Sequence, residues 1–281
     1  MTSVPPTVSI VIPAWNEQDT IRGCVLAALH QTVPAFEVIV VDNRSTDDTA
    51  TVVRALQAAF PQAPLIYLQQ DEVQGLIPTR NFGLDHARGD IIGRIDSDSV
   101  LEPTWVAEVQ TAFADPEVAA CTGPVIYYDM PLRRFGAIAD DAIRRAMIVI
   151  TRDYHLLFGS NMALRASAWR LIRSEAHGDP DDELHEDIDL SIHLHEHGLR
   201  VAYSSEMVTG MSARRLDDSP REFYNYVMRF ERTYKLHNVR SLGLRAPMAI
   251  LMSAYPALKA MRASELRREA SELRAATTRP K

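Results

Sequence analysis

Ile91-Ile92-Gly93-Arg94-Ile95-Asp96-Ser97-Asp98-Ser99-Val100-Leu101-Glu102-Pro103-Thr104-Trp105 is the stretch on which the fold is decided. Its isoleucines form the short apolar run of a buried strand. The run breaks off at Asp96-Ser97-Asp98, and Glu102-Pro103 opens a helix with proline near its first turn. Two carboxylates one small residue apart at the end of a buried strand repel each other and resist dehydration, so they need a cation between them. A hard divalent ion that keeps some waters and also meets a substrate diphosphate satisfies that need. Acid-x-acid alone is equally the pattern of an exposed acidic turn. The strand before it and the helix after it separate the two readings.

The same alternation repeats outward from this point. Residues 8–12 (VSIVI) are a near-continuous apolar run stopped by Pro13, as expected of a strand buried on both faces in a parallel sheet. Residues 37–42 (EVIVVD) form a second such strand ending in an acid, and residues 65–68 a third. Helices are expected over 20–29, from the polar loop 43–48 through 59, over 78–87 and over 103–113. Strands alternating with helices of about ten residues, joined by short loops, indicate an α/β fold on a mostly parallel, Rossmann-like sheet flanked by helices. Asn16, Glu17, Asp42, Asn43, Asp96 and Asp98 all fall just after strands, where open α/β sheets bind ligands.

The texture changes beyond residues 118–128. Residues 133–152 are amphipathic with basic clusters, 158–164 read as a turn into a strand, and 166–173 as a helix. The acidic Gly/Pro loop 174–183 suits a lid or acceptor loop. A helix over 186–197 carries Ile188/Ile192 and Leu190/Leu194 one turn apart, with Gly198 in the terminating position. A last short strand is expected at 200–204, and from Pro220 the chain reads helical, with Pro247 and Pro256 as breaks or kinks.

Of 281 residues, 46% are hydrophobic and 24% charged, an ordinary globular composition with enough chain for a sizeable core. Cys24 and Cys121 match no metal or redox spacing and are expected as buried thiols in a reducing cytosol. The N-terminus lacks the basic segment of a signal peptide, and no apolar run is long enough to span a bilayer. The net charge of −7 is unevenly placed: residues 211–281 carry 15 Lys+Arg against 7 Asp+Glu, and residues 1–210 carry 15 against 30. A basic, Arg-rich tail on an acidic body is suited to an anionic partner such as phosphate or a membrane surface.

There is no GxxxxGK[ST], no GxGxxG after the first strand and no GxSxG elbow. A bound nucleotide must therefore be held by side chains and a metal. His193, His195 and His197 resemble a metal box, but residues two apart on a helix diverge by about 200°. Only His193 and His197 share a face, and the expected reading is a polar helix face. In His185-Glu186-Asp187-Ile188-Asp189, acids in a first helical turn complement the helix dipole. One of them at the ligand edge could also be a general base taking a proton from an acceptor hydroxyl. Glu186 and Asp187 diverge by about 100°, so only one can face the site, and Asp189 is the weakest candidate.

VSIVIPAWNE, EVIVVDNRSTDDT, TRNFGLDHARGD, IDSD, GSNMALR and EDIDLSIHLHEHGLRV together, in this order, resemble glycosyltransferase family 2 enzymes of the GT-A fold. The resemblance covers roughly residues 7–215 and implies a catalytic domain over 1–215 with a helical extension over 216–281. It implies a nucleoside-diphosphate-sugar donor, a UDP- or GDP-sugar. Its base and ribose would be cradled by Pro13, Ala14, Asn16, Glu17 and Asp42, with Arg80 near the base or diphosphate. Asp96, Ser97 and Asp98 match the D-x-D signature, with Asp98 the direct ligand of Mn²⁺ or Mg²⁺ and Asp96 nearer the ribose. Glu186-Asp187 matches the family's ED pair, with Asp187 the expected base. Arg214 and Arg215 fall where members place a basic diphosphate contact, and the sequence does not choose between them.

The implied reaction is one in-line displacement at the anomeric carbon, with inversion, onto a hydroxyl-bearing acceptor. Its implied setting is cell-envelope, polysaccharide or glycolipid synthesis in the cytoplasm or at the inner face of the cell membrane. The Q/R-x-x-R-W motif of processive synthases is absent, which points to a single addition. Nucleic acid is not among the expected partners. The alternatives are a sugar-nucleotide pyrophosphorylase, which would want a Gly-rich basic first loop in place of PAWNEQ, and a non-catalytic nucleotide-sugar-binding protein. The apolar stretch 246–258, flanked by Arg245, Lys259 and Arg262, is too short to span a membrane. It is expected to pack on the catalytic domain or a second subunit, with peripheral contact to a lipid-linked acceptor's membrane as the other reading.

Overall fold

The computed structural model describes residues 4–151, 154–179, 181–241 and 243–277; Arg152 and Pro180, inside two of the segments read above, lie outside the described residues. A seven-stranded sheet forms the centre, in the order β3-β2-β1-β4-β8-β6-β9. Its strands are β1 (Val8–Ala14), β2 (Glu37–Asp42), β3 (Leu65–Gln69), β4 (Ile91–Arg94), β6 (Val118–Thr122), β8 (Met162–Arg165) and β9 (Arg200–Tyr203). Every pair is parallel except β4–β8 and β8–β6. A small second sheet, not foreseen, joins β5 (Val100–Leu101), β10 (Thr209–Met211) and β7 (Val125–Tyr127). It makes β10, not residues 200–204, the last strand. Its strands are two or three residues long, too short to show any alternation.

The apolar runs follow from having both faces of the sheet covered. On β1, Val8, Ile10 and Ile12 join a core with Cys24, Val25, Val53, Trp105 and Val106, whereas Val11 belongs to a second core with Leu84, Trp169, Leu190 and Leu194. The first core lies under α1 (Ile21–Leu29), α2 (Thr49–Ala59) and α4 (Trp105–Ala112); the second lies under α3 (Leu76–His86), α6 (Ala166–Ile172) and α7 (Glu186–Glu196). Gly93 on β4 is required by the first: a Cβ there would overlap the Trp105 ring. Both cysteines are buried and unpaired, as expected. β1 continues through Pro13, which pairs with Val41 at a point past the last β1–β4 pair, Val11 with Arg94. A missing N–H is least damaging where one neighbour has already ended.

α5 (Arg133–Thr151) is the amphipathic segment, and α7 ends at Gly198, whose φ is +66°. α8 (Pro220–Leu236) starts with a complete capping box between Ser219 and Glu222. α9 (Ala246–Thr277) is not broken at Pro256; Pro256 and Met252, the residue whose carbonyl loses its helical partner, are both exposed. Pro247 sits in the first turn, where proline is tolerated. Met248, Leu251 and Tyr255 pack against Phe223, Val227, Phe230 and Tyr234 of α8, and Ile188 and Ile192 of α7 join the latter pair. The apolar stretch 246–258 therefore turns several of its side chains into the molecule's own core. No helix among the described residues is long and apolar enough to cross a membrane.

Glu37 ties β1, β2 and the loop before β4 together at the end opposite the site. Its carboxylate, 1% exposed, accepts from the Ser9 hydroxyl (2.8 Å), the Arg88 backbone N–H (2.6 Å) and the Arg88 guanidinium (2.7 Å). Burial alone would raise its pKa; these donors outweigh burial and hold it below the usual carboxylate range. A depressed folded-state pKa contributes stability that is complete above the unfolded value of about 4.3 and is lost as pH falls through the folded value. Urea titrations between neutral and acid pH should therefore show Glu37→Gln less stable at neutral pH by about 1–3 kcal/mol, with the gap closing on acidification. A pH-independent gap would show that the charge contributes nothing.

Candidate active site

The chain order reverses at β1, which lies between β2 and β4, and such a switch point opens a crevice at the carboxyl ends of the strands. Pro13, Ala14, Asp42 and Asp96 all lie at that edge. The turns after β1 and β2 are laced together. Asn16, at φ +54°, donates its N–H to Ser45 Oγ (2.9 Å) and accepts the Thr46 N–H on Oδ1 (2.8 Å), and the Glu17 N–H reaches Thr49 Oγ1 (2.8 Å). Asp42 is buried. It accepts the Ser45 N–H (3.0 Å) and the Tyr67 hydroxyl (2.5 Å), while Ala14's carbonyl accepts the Asn43 N–H (3.0 Å).

Across the crevice, Arg80 of α3 donates to Asp96 Oδ1 (2.7 Å) and to Glu186 Oε2 (2.8 Å). Arg94, fully buried on β4, donates to the same Glu186 oxygen (2.6 Å). Burial opposes the Arg80 charge, but Glu186 and Asp96 outweigh it and raise its pKa; burial and the like charge of Arg80 lower that of Arg94. Arg80 Nε, Arg94 Nε and Glu186 Oε1 have no protein partner. Asp187, the next residue, is only half-buried and accepts the Gly159 N–H on Oδ2 (2.7 Å). Gly159 has room for no side chain: a Cβ would overlap the Arg94 guanidinium.

Asp98 lies beyond Asp96, with the buried Ser97 between them. Its Oδ2 is 3.0 Å from Arg214 Nε, and Arg214 also donates to Glu17 Oε1 (2.8 Å). Burial pushes the Asp98 carboxyl up to about 6, with Arg214 pulling against it and the charges of Asp96 and Glu17 adding to it. Arg215 turns away to Asp218 (3.2 Å) and stacks over Tyr226 (4.6 Å). Of the two arginines, only Arg214 reaches the acids. Asp189 points to the other side of α7, into a cluster of histidines. His193 is part of that cluster and is buried, not on a polar surface face.

Every other sequence-derived candidate converges on this one edge. Arg94 and Gly159 were missed. The signal for Arg94 was a lone arginine inside an apolar strand; Gly159 becomes visible only through its contact with Asp187, 28 positions further along the chain. The acids fit a hard divalent cation by their donor chemistry, oxygen from Asp98 and Asp96, and by the burial and like-charge crowding that raise Asp98. Among the described residues no third Asp, Glu, His or Cys completes a metal-ligating group with them.

The profile of Glycosyl transferase family 2 matches residues 9–178, more than half of the chain. Glycosyltransferase AglE of Haloferax volcanii is 36% identical over 108 residues, 38% of this chain and 35% of the relative. Chondroitin synthase of Pasteurella multocida is 35% identical over 116 residues, 41% of this chain and 12% of the relative. The chain thus matches about a third or less of the length of these relatives. Among solved structures, a mannosyltransferase from Pyrobaculum calidifontis in complex with GDP-Man and Mn²⁺ superposes with a TM-score of 0.63 at 21% identity, covering 96% of this chain and 76% of that one. Glucosyl-3-phosphoglycerate synthase from Mycobacterium tuberculosis, with Mn²⁺ and UDP-glucose, gives 0.55 at 19% identity, covering 81% and 80%. These likenesses show the fold, a GT-A type α/β domain.

Removing Glu186 would leave the buried Arg94 guanidinium without its carboxylate, beside the like charge of Arg80, which would keep only Asp96. Glu186→Ala should destabilise the chain by about 3–5 kcal/mol, whereas Asp187→Asn should change the denaturation midpoint little. Chemical denaturation of both variants checks this, and equal midpoints would show that Glu186 has no such structural role.

Proposed function

The chain belongs to glycosyl transferase family 2, and on that premise we propose that it transfers a sugar from a UDP- or GDP-sugar to an acceptor hydroxyl, once per cycle and with inversion. The single observation that carries this reading is the split within the ED pair. Glu186 is consumed by Arg80 and Arg94, while Asp187 stays half-exposed beside Gly159. Asp187 is then the general base and Glu186 the residue that positions it. Pro13, Ala14, Asn16, Glu17 and Asp42 hold the nucleoside, with Asp42 placed to accept ribose or base hydrogens. A hard divalent cation, Mn²⁺ or Mg²⁺, held by Asp98 with Asp96 beside it, would neutralise the diphosphate as it leaves. Arg80 and Arg214 bring positive charge to that departing group, Arg214 by exchanging its carboxylate partners for phosphate oxygens.

The acceptor is assigned to a cavity of about 440 Å³ between the acidic loop and α8, lined by Asp182, Glu183, Arg215, Tyr226, Arg229 and Arg232. Burial, and after it the charge of Asp187, raise the Tyr226 phenol, and this nearness of a lining residue to the base supports the assignment. Residues 216–281 are read as a helical extension that shapes this side of the site. A membrane-surface role, suited to a lipid-linked acceptor, fits α5 better than 246–258: Phe135, Ile138 and Val149 are 70%, 68% and 76% exposed, beside Arg133 and Arg134.

With a panel of UDP- and GDP-sugars, transfer should require a divalent cation. It should fall by about 10²–10⁴ in Asp187→Asn, which should still bind donor. Asp98→Asn should lose cation-dependent donor binding in a thermal-shift assay. Donor binding with no transfer in the parent chain would favour the non-catalytic reading, and undiminished transfer in Asp187→Asn would remove it as the base. In flotation with anionic vesicles, Phe135→Ser/Ile138→Ser should lose vesicle binding; equal partitioning with the parent would sink the membrane role.

A further inference from the structure

Four side chains from three separate parts of the chain meet on the face of α7 opposite Asp187. His177 lies in the loop after α6, Asp189 and His193 are one turn apart on α7, and His237 follows the last residue of α8. One nitrogen or carboxylate oxygen from each of His177, Asp189, His193 and His237 lies within 4.8 Å of those of the other three. Asp189 Oδ1 is 2.7 Å from His177 Nδ1 and 2.7 Å from His237 Nε2, while His193 Nε2 is 3.4 Å from His177 Nδ1 and 3.6 Å from Asp189 Oδ1. The Asp189, His193 and His237 side chains are 2%, 7% and 4% exposed, and His177 closes the cluster on the outside.

A carboxylate with three imidazoles could be a plain hydrogen-bonding hub, but the geometry exceeds what a hub needs. A hub is complete once His177 and His237 donate to Asp189. His193 nevertheless turns Nε2 to the same point, at distances too long for a good hydrogen bond and toward a nitrogen whose proton is already committed. Its other nitrogen, Nδ1, faces Glu196 (3.2 Å) and Glu175 (3.4 Å), the carboxylate arrangement that fixes a metal-binding imidazole with Nε2 free to ligate. Asp189 is oriented in the same way, its Oδ2 accepting the His177 backbone N–H (3.0 Å). For metal–nitrogen bonds of about 2.0–2.1 Å, the edges of a tetrahedral site are about 3.3 Å; four of the six edges here, at 2.7–3.6 Å, lie around that value, and the other two, from His237 to His177 and to His193, are within 4.8 Å.

We propose that His177, Asp189, His193 and His237 form a closed, four-ligand site for a borderline transition-metal ion, Zn²⁺ above all, distinct from the Asp96/Asp98 cleft. Three imidazoles and one carboxylate select zinc-like ions over Mg²⁺ and Mn²⁺. With all four positions filled by protein, the ion is structural. It fastens the loop after α6 and the end of α8 to α7, the helix whose first turn carries Glu186 and Asp187.

The test is the metal content of the full chain after Zn²⁺ loading and desalting, read by mass spectrometry. Cobalt-loaded protein is read alongside for the strong visible bands of tetrahedral coordination. The parent and Asp98→Asn should each retain one Zn²⁺ per chain and show the bands. His177→Ala and His237→Gln should drop to background and lose both the bands and the Zn²⁺-induced rise in melting temperature. Because His177 is on a loop and 38% exposed, its truncation leaves the core packed, which far-UV circular dichroism verifies. Glu175→Gln/Glu196→Gln should weaken Zn²⁺ binding by about tenfold or more. A parent chain that retains no zinc, or zinc that leaves with Asp98→Asn and stays with His177→Ala, overturns the site.

Discussion

The Glu186 carboxylate is the joint on which the two halves of the crevice depend. It accepts from Arg80 and from Arg94 on one oxygen, and Arg80 passes its other amino group to Asp96. This chain of contacts joins α3, β4 with the acidic turn after it, and the first turn of α7. A fully buried guanidinium is expensive to dehydrate and is tolerated only against a fixed counter-charge. Arg94 therefore forces Glu186 to stay where it is, and Glu186 in turn fixes where its neighbour Asp187 can point. Specific placement of the half-buried acid is obtained from the buried one.

The reading of the sequence succeeded where the determining physics is local. Continuous burial on both faces explains the apolar runs of β1, β2 and β4, and the strand-end position of Asp42 and Asp96 follows from the runs that precede them. It failed where a feature is made of contacts between distant segments. β8 enters the sheet antiparallel between β4 and β6, and nothing in Met162–Arg165 announces that direction. His193 was legible as one of a pair on a helix face. Its partners at 177 and 237 are 16 and 44 positions away, and no motif spans that gap. Arg214 and Arg215 are adjacent and alike in sequence; a 3-10 turn over Arg214–Asp217 sends one to Glu17 and Asp98 and the other to Asp218.

α7 has a divided character that the residue pattern alone conceals. Its first turn presents Glu186 and Asp187 to the crevice, its apolar stripe enters two cores through Leu190/Leu194 and Ile188/Ile192, and its remaining face carries Asp189 and His193. A helix with three occupied faces has no freedom to roll. An acid that must meet an acceptor hydroxyl within hydrogen-bond reach benefits from that immobility, because small misplacements of reacting groups are costly in rate.

Charge balance supplies the strongest physical reason for a cation in the crevice. Glu17, Asp42, Asp96, Asp98, Glu186 and Asp187 line or underlie it, against Arg80, Arg94 and Arg214. The acids outnumber the arginines two to one, and Asp98 already has its carboxyl pushed up to about 6 by burial and its acidic neighbours. Bringing a diphosphate into this field adds negative charge where it is least welcome. Arg214 can turn to the phosphates only by releasing Glu17 and Asp98, which leaves those carboxylates uncompensated. A dication held by Asp98 would answer both demands at once, which none of the three arginines can do alone. The excess of acids in the crevice thus opposes the anion it is proposed to bind, and a cation bound with that anion would remove the opposition.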